Sequence, residues 1–472
     1  MADRSDVLNT IVINKQKELA QRKELVALND LKATAKPSKR SLESVLAKPG
    51  NRFILEYKRA SPSRGDICKD LTIEQCLKAY EASADAYSVL TDKRFFNGNH
   101  ILLKALAERT DKPVLCKDFF IDLYQVYEAR VYGADAILLM LSVLDDERYR
   151  ELAEVAHSLS LDIITEVHTE EECRRAVALD AKIIGINNRN LKTLDTRLET
   201  TEQLNNLIPE GCLVISESGI SSRADINRLA QYVDGFLVGS SLMSAESIEL
   251  ATKKLVYGEV KICGIQTAES AQLCVNRGAS YVGLMFYNKS PRYIDATTAE
   301  FITHQINGNY VGVFVNESPS RIIDRVSRCQ LSVVQCHGTE TLSQIRALRK
   351  ILPSKVKIWK ALGIDEALSF NELRSWLTVV DKVVVDYQTV RSYGGNGKRF
   401  DWELLSELFN SVEQDRIVIA GGISASNVTD LQEFTKSTLD LSSGVEKSRG
   451  VKDTSRIAEF FEQCRMNGKQ GI

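Results

Sequence analysis

The chain of 472 residues has only eight prolines and five histidines, a formal net charge of only −2, and no C-x-x-C pair among its ten cysteines. Each shortage excludes something. With Lys plus Arg at 61 and Asp plus Glu at 63 there is no field to draw nucleic acid or an anionic membrane. The nearest basic cluster, Lys36 to Arg40, has a proline inside it and reads as a solvated linker. The longest apolar stretch of interest, Ala136 to Leu144, is bounded by Asp135 and Asp145 and is far short of the roughly 20 residues that span a bilayer. It reads as a buried strand and its exit. Met1 to Thr10 mixes both charge signs without an apolar core, so no signal peptide is expected. The scattered cysteines then read as reduced thiols and the location as cytoplasmic. No G-x-G-x-x-G follows a strand. Gly394 to Lys398 imitates a P-loop but lacks its first glycine and has Arg399 where Mg²⁺ needs Ser or Thr, so a mobile lid is the better reading. His337 has no companion at metal-ligand spacing. Neither metal nor cofactor is expected.

What is present is an ordinary globular composition, 44% apolar and 26% charged, on a chain long enough for two or three domains. Its organisation lies in short β-branched runs spaced by about one strand–helix unit. The first eight are Arg52–Glu56, Ala86–Leu90, Pro113–Cys116, Ala136–Met140, Asp162–Thr165, Lys182–Ile186, Leu213–Ser216 and Gly235–Val238. Helix-period stretches such as Glu147–Leu159 and Glu170–Leu179 separate them. The count restarts with Val260–Cys263, Tyr281–Phe286, Tyr310–Val315, Ser332–Gln335, Val356–Trp359, Lys382–Asp386, Arg416–Ala420 and Thr438–Leu441. Twice eight such units predict an α/β chain of two tandem (β/α)8 TIM barrels, residues 1–256 and 257–472. The spacing of Leu8, Ile11, Leu19, Leu25 and Leu28 adds one or two N-terminal helices lying over the first barrel. No Pro- or Ser-rich linker separates the halves, so a monomer with its barrels in contact is expected.

Barrel chemistry sits at the C-terminal ends of strands. In the first half those ends carry Glu56, Lys58 and Ser61, then Lys117, Glu166, Asn187 with Arg189, Glu217 with Ser218 and Gly219, and Gly239 with Ser240. Any one of these fits a structural role. Charged or polar groups at six of eight strand ends on one rim point to an active site. The turns after strands 7 and 8 sit where barrels bind phosphate through backbone N–H groups, so a phosphorylated small molecule is the expected ligand.

The run ILEYKRASPSRG, followed in order by CKDF, TEV, GINNRN, SESGI and VGSSL, resembles indole-3-glycerol-phosphate synthases along the whole first half. The resemblance implies ring closure, decarboxylation and dehydration of carboxyphenylaminodeoxyribulose phosphate. It makes Lys117 the general acid of ring closure and Glu166 the acid/base group of the dehydration. Lys58, held by Glu56, would meet the substrate carboxylate. Asn187, Arg189, Glu217 and Ser218 would position the substrate, and Ser61, Gly219, Gly239 and Ser240 would hold its phosphate.

In the second half the strand ends carry Cys263, Arg292, His337, Asp386, Gly422, Ser443 and Gly444. A lone strand cysteine is more often a small buried hydrophobe than a reagent. Yet KICGI, FYNKSPRYI, QCHG, VVVD, GGNGKRFDW, AGGI and SSGVEKSRGVKD together resemble phosphoribosylanthranilate isomerases over the whole second half. The resemblance implies an Amadori rearrangement with Asp386 as general acid and Cys263 as general base. Arg292 and His337 would bind the substrate, and Gly422, Ser443 and Gly444 its phosphate. The second reaction's product would feed the first, by free diffusion. Two alternatives stay open: a barrel retained only for binding or scaffolding, and another pair of phosphate-binding barrel isomerases, which usually carry Asp where Cys263 stands.

Overall fold

The computed structural model describes residues 7–61, 65–68, 70–190, 194–363, 370–386, 412–431 and 433–466. The candidate lid at Gly394–Lys398 lies outside them. Residues through Thr252, together with Arg465, form one compact unit, and Lys253–Cys464 form another.

The first unit is a closed parallel barrel of eight strands. They are β1 (Arg52–Tyr57), β2 (Ala86–Leu90), β3 (Val114–Lys117), β4 (Ala136–Met140), β5 (Asp162–Val167), β6 (Ile183–Asn187), β7 (Leu213–Glu217) and β8 (Gly235–Val238). β1 closes it by pairing both ways, Ile54 opposite Ala86 on β2 and Arg52 opposite Gly235 on β8. β-branched and aliphatic side chains at every second position, among them Ile54, Leu115, Leu138, Ile164, Ile183 and Ile215, fill the interior as one core.

The second unit repeats the plan. Its strands are β9 (Glu259–Cys263), β10 (Tyr281–Met285), β11 (Tyr310–Phe314), β12 (Val333–Cys336), β13 (Lys357–Gly363), β14 (Lys382–Asp386), β15 (Ile417–Ala420) and β16 (Thr438–Leu441). β9 pairs with β10 and with β16. Val311, Val333, Trp359, Val384 and Val418 pack inside it, with the Tyr281 ring edge-on to Trp359 at 5.1 Å.

Both barrels are stitched at the end opposite their chemistry. An aspartate just before a strand accepts the backbone N–H that opens its neighbour. Asp85 takes Phe53 N at 2.8 Å, Asp135 takes Val114 N at 2.9 Å, and Asp234 takes Val214 N at 2.8 Å. In the second barrel Asp381 takes Ile358 N at 2.8 Å. These bonds satisfy strand-end donors that would otherwise be buried unpaired.

Among the described residues three helices precede the first barrel: α1 (Val7–Leu25), α2 (Leu28–Thr34) and α3 (Leu42–Leu46). Ile11 and Leu19 of α1 are buried as their spacing predicts. Leu25 is not; it is 82% exposed at the last residue of the helix, beyond the end of the apolar stripe. α1 is pinned by charge as well. Lys15, 1% exposed, stands 2.8 Å from both Asp92 and Asp118, and Arg22 stands 2.7 Å from Glu128.

Candidate active sites

At the C-terminal rim of the first barrel a cavity of about 180 Å³ gathers residues from all eight strand ends. Glu56, Lys58, Ser61, Lys117, Glu166, Asn187, Arg189, Ser218, Gly219, Gly239 and Ser240 all line it. Of the sequence-predicted group only Glu217 does not. It is fully buried behind the wall, with Oε2 2.5 Å from Lys117 Nζ. Sheet register explains the meeting: β3 and β7 lie across the barrel, and both end in a charged residue whose side chain points inward.

Lys117 is the hub. Besides Glu217 it reaches Glu56 Oε2 at 3.8 Å, and Glu56 in turn ion-pairs with Lys58. Burial disfavours the Lys117 ammonium, but Glu217, Glu56 and Glu166 outweigh it and hold its acidity below that of an ordinary lysine. Burial pushes the Glu56 carboxyl up, and Lys58, Lys117 and Arg189 more than reverse that. Glu166 goes the other way. Burial and the negative Glu217 raise it to about 8, against Lys117 and a hydrogen bond from Asn187. So the rim holds a charged ammonium that keeps its proton tightly beside a carboxyl protonated near neutral pH, and of the two Glu166 has the acidity suited to general acid–base work at that pH. Lys58 Nζ stands 3.4 Å from Ser240 Oγ, and Ser218 adopts a left-handed φ of 66° as the chain turns into Gly219.

Two features of this site escape the sequence reading. One apolar wall is α1 itself, through Val7, Leu8 and Ile11, beside Phe119, Leu138 and Met140. The other is Gly185 on β6, where a Cβ would fall 2.3 Å from Glu217 Oε1. Only glycine leaves room for that carboxylate. A glycine in the middle of the run IIGIN is the signal that marks such a close approach.

The second barrel opens into a cavity of about 340 Å³ lined by Cys263, Arg292, His337, Asp386, Gly422 and Ser443. Gly444 lies behind it, packed so closely that a Cβ would meet Ile423 O at 2.0 Å. Arg292 is held by a bidentate fork, Nε to Glu446 Oε1 at 2.8 Å and Nη2 to Oε2 at 2.9 Å. Burial pushes the Glu446 carboxyl up, but Arg292 and Lys452 bring it down to about 2, so the pair stays ionised. His337 Nδ1 accepts from Gln335 Nε2 at 3.3 Å, and its Nε2 stands 3.9 Å from Asp386 Oδ2. Burial and two lysines, Lys261 and Lys360, lower His337 to about 3, so it is neutral. Burial raises the Cys263 thiol, with Lys261 pulling the other way.

The sequence reading does not single out Lys261, Gln335 and Asp440, which form a buried polar cluster whose Gln335 and Asp440 line this cavity. The detectable signal is a lysine inside VKIC and an aspartate inside TLDL, where strand interiors carry apolar residues.

Residues 8–255 match a family model described as Indole-3-glycerol phosphate synthase, and residues 260–463 one described as N-(5'phosphoribosyl)anthranilate (PRA) isomerase. The Tryptophan biosynthesis protein TrpCF of Vibrio cholerae serotype O1 is 41% identical over 464 residues, 98% of this chain and 97% of its own. TrpCF of Yersinia pestis is 40% identical over 460 residues, 98% of this chain and 94% of its own. A solved phosphoribosyl anthranilate isomerase from Thermotoga maritima is 32% identical across 44% of this chain and 98% of its own, with a TM-score of 0.39.

Proposed function

The chain belongs to the indole-3-glycerol phosphate synthase and PRA isomerase families, fused as in the TrpCF relatives, and on that premise we propose how its residues divide the work. It is a bifunctional tryptophan-biosynthesis enzyme. Residues 257–472 isomerise phosphoribosylanthranilate, and residues 1–256 convert the product to indole-3-glycerol phosphate. A barrel kept only for binding is not favoured.

In the isomerase, Asp386 gives its proton to the ribose ring oxygen as the C1′–O bond breaks and the anilino nitrogen forms a Schiff base. Cys263, as thiolate, takes the C2′ proton, and the electron pair moves toward the iminium to give the enolamine. Arg292, fixed by Glu446 along one edge, offers Nη1 to the anthranilate carboxylate. His337, neutral, serves as a donor to substrate. Gly422, Ser443 and Gly444 form the phosphate cup.

In the synthase, Lys117 protonates the carbonyl oxygen as the ring carbon attacks it. Loss of carbon dioxide and of water follows, with Glu166 as acid/base group in the dehydration. Lys58, paired with Glu56, meets the leaving carboxylate, while Asn187, Arg189 and Ser218 position the substrate and Glu217 positions Lys117. Ser61, Gly219, Gly239 and Ser240 hold the phosphate. The observation that carries this reading is the Lys117–Glu217 contact at 2.5 Å with Glu166 raised to about 8 in the same cavity.

We also propose a cytoplasmic monomer, which fits cavities each lined by residues of one unit. Sedimentation at micromolar concentration tests it. The activity test gives the purified chain each substrate separately, following loss of anthranilate-type fluorescence and gain of indole absorbance. Both activities, surviving EDTA, are expected. Loss of one would mean a barrel retained for binding.

A further inference from the structure

Lys261 lies two residues before Cys263 on β9, so the period of two along a strand turns both side chains toward the barrel interior. It is fully buried. Its Nζ stands 2.5 Å from Asp440 Oδ2 on β16, donates to Gln335 Oε1 on β12 at 2.7 Å, and interacts with Cys263 Sγ. Across from it on β10, Gly283 has no side chain. A Cβ there would fall 2.8 Å from Cys263 Sγ and 3.0 Å from Lys261 Cε. The space that glycine leaves is shared by the thiol and the lysine stem.

An ammonium inside a barrel is costly unless fully matched. Asp440 is an incomplete match: its Oδ1 has no hydrogen-bond partner, and burial pushes its carboxyl up despite Lys261 and Lys452. A purely structural ion pair would close on itself. This one stays open toward the chemistry, because Asp440, Gln335 and Cys263 all line the cavity.

We propose that Lys261 is a positioning residue of the isomerase, a buried counter-charge that offsets the burial of Cys263 Sγ and favours its thiolate when it acts on the substrate. This rests on Cys263 being the base. The charged groups that act on the thiol are Lys261 on its own strand, Asp440 on β16, Lys452 beyond β16 and Arg292 beyond β10, while Asp386 and His337 share the cavity. Lys261 exerts the largest charge effect on the thiol, and its stem borders the same gap at Gly283 as the sulfur. When the thiolate has taken the C2′ proton and become neutral, Asp440 remains as the ammonium's partner.

The test uses the full chain with Lys261→Met and Lys261→Arg. Three quantities are read: iodoacetamide alkylation of Cys263 against pH by peptide mass spectrometry, isomerase kcat and KM against pH, and synthase activity. In Lys261→Met, alkylation at pH 7 is expected to slow about tenfold, the thiol limb of the isomerase profile to move up by about one pH unit, and kcat to fall at least about tenfold with KM within about threefold. Lys261→Arg recovers part of each, and synthase activity is unchanged. A fall in kcat with alkylation and pH limb both unmoved overturns the proposal in favour of a structural role. Should Lys261→Met not fold, Asp440→Asn removes the competing carboxylate and is expected to speed alkylation; equal or slower alkylation overturns the proposal. Full isomerase activity in Cys263→Ser would instead remove the base assignment, and the alkylation shift would still report the hold of Lys261 on the sulfur.

Discussion

At neutral pH Glu166 carries a proton, because burial and the adjacent Glu217 push its carboxyl up to about 8. Its acid form therefore prevails below that value and is lost as pH rises through it. Replacing it by Gln should cost the synthase about 10²–10⁴-fold in kcat and erase the limb near pH 8 from the residual rate profile. The same shift has a thermodynamic side. A group raised from 4.5 to about 8 contributes stability that is fully present below pH 4.5 and gone above about 8, so Glu166→Gln should flatten that slope in a pH series of unfolding curves. In the other barrel Glu446→Gln loosens the fork on Arg292. A charged hydrogen bond contributes about 1.5–3 kcal/mol, so KM for phosphoribosylanthranilate should rise about tenfold or more while kcat changes little, as steady-state kinetics will tell. Cys263, Asp386, Lys117 and Glu166 were legible in the sequence because each interrupts or ends a β-branched run where barrel chemistry sits. Lys261, Asp440 and Gly185 were not. Their partners lie 179 residues away in sequence for Lys261–Asp440, and such pairings come into being only when β9 and β16 close the barrel.

Strands were the most legible elements, with Ile183–Asn187 observed for Lys182–Ile186 and Lys357–Gly363 for Val356–Trp359. The second miss is larger because Ala361 to Gly363 lack the β-branched signature yet still pair with β14. The aspartates at 85, 135, 234 and 381 punctuate strand starts and went unread, since an acidic residue beside a strand looks like a solvated turn until its neighbour's N–H is located. α1 was foreseen as a covering helix but not as a wall of the cavity, for apolar spacing gives a face and not what it faces. That wall depends on Lys15. Lys15→Met would leave Asp92 and Asp118 buried together without a cation, a change of about 3–5 kcal/mol. Calorimetry should show a lowered transition for the first barrel, with synthase activity lost at moderate temperature and isomerase activity kept.

For the molecule as a whole, the described residues that line the first cavity fall within 7–241 and those that line the second within 263–449. Cys263→Ala and Asp386→Ala should therefore abolish the isomerase and leave the synthase within a few-fold of normal, and Lys117→Ala should do the reverse. Loss of both activities in one well-folded variant would contradict separate sites. The two sites nonetheless face a common design problem, since each holds a phosphate and an anthranilate ring, and a compound made to block one will tend to block both. The wall formed by Val7, Leu8 and Ile11 breaks that symmetry, because it lines the smaller cavity alone. Each methylene added to the aryl end of an inhibitor and buried against α1 contributes about 0.8 kcal/mol there. Selective drugs against the synthase can thus be built outward from the ring, toward a helix that, among the described residues, lines the synthase cavity and not the isomerase cavity.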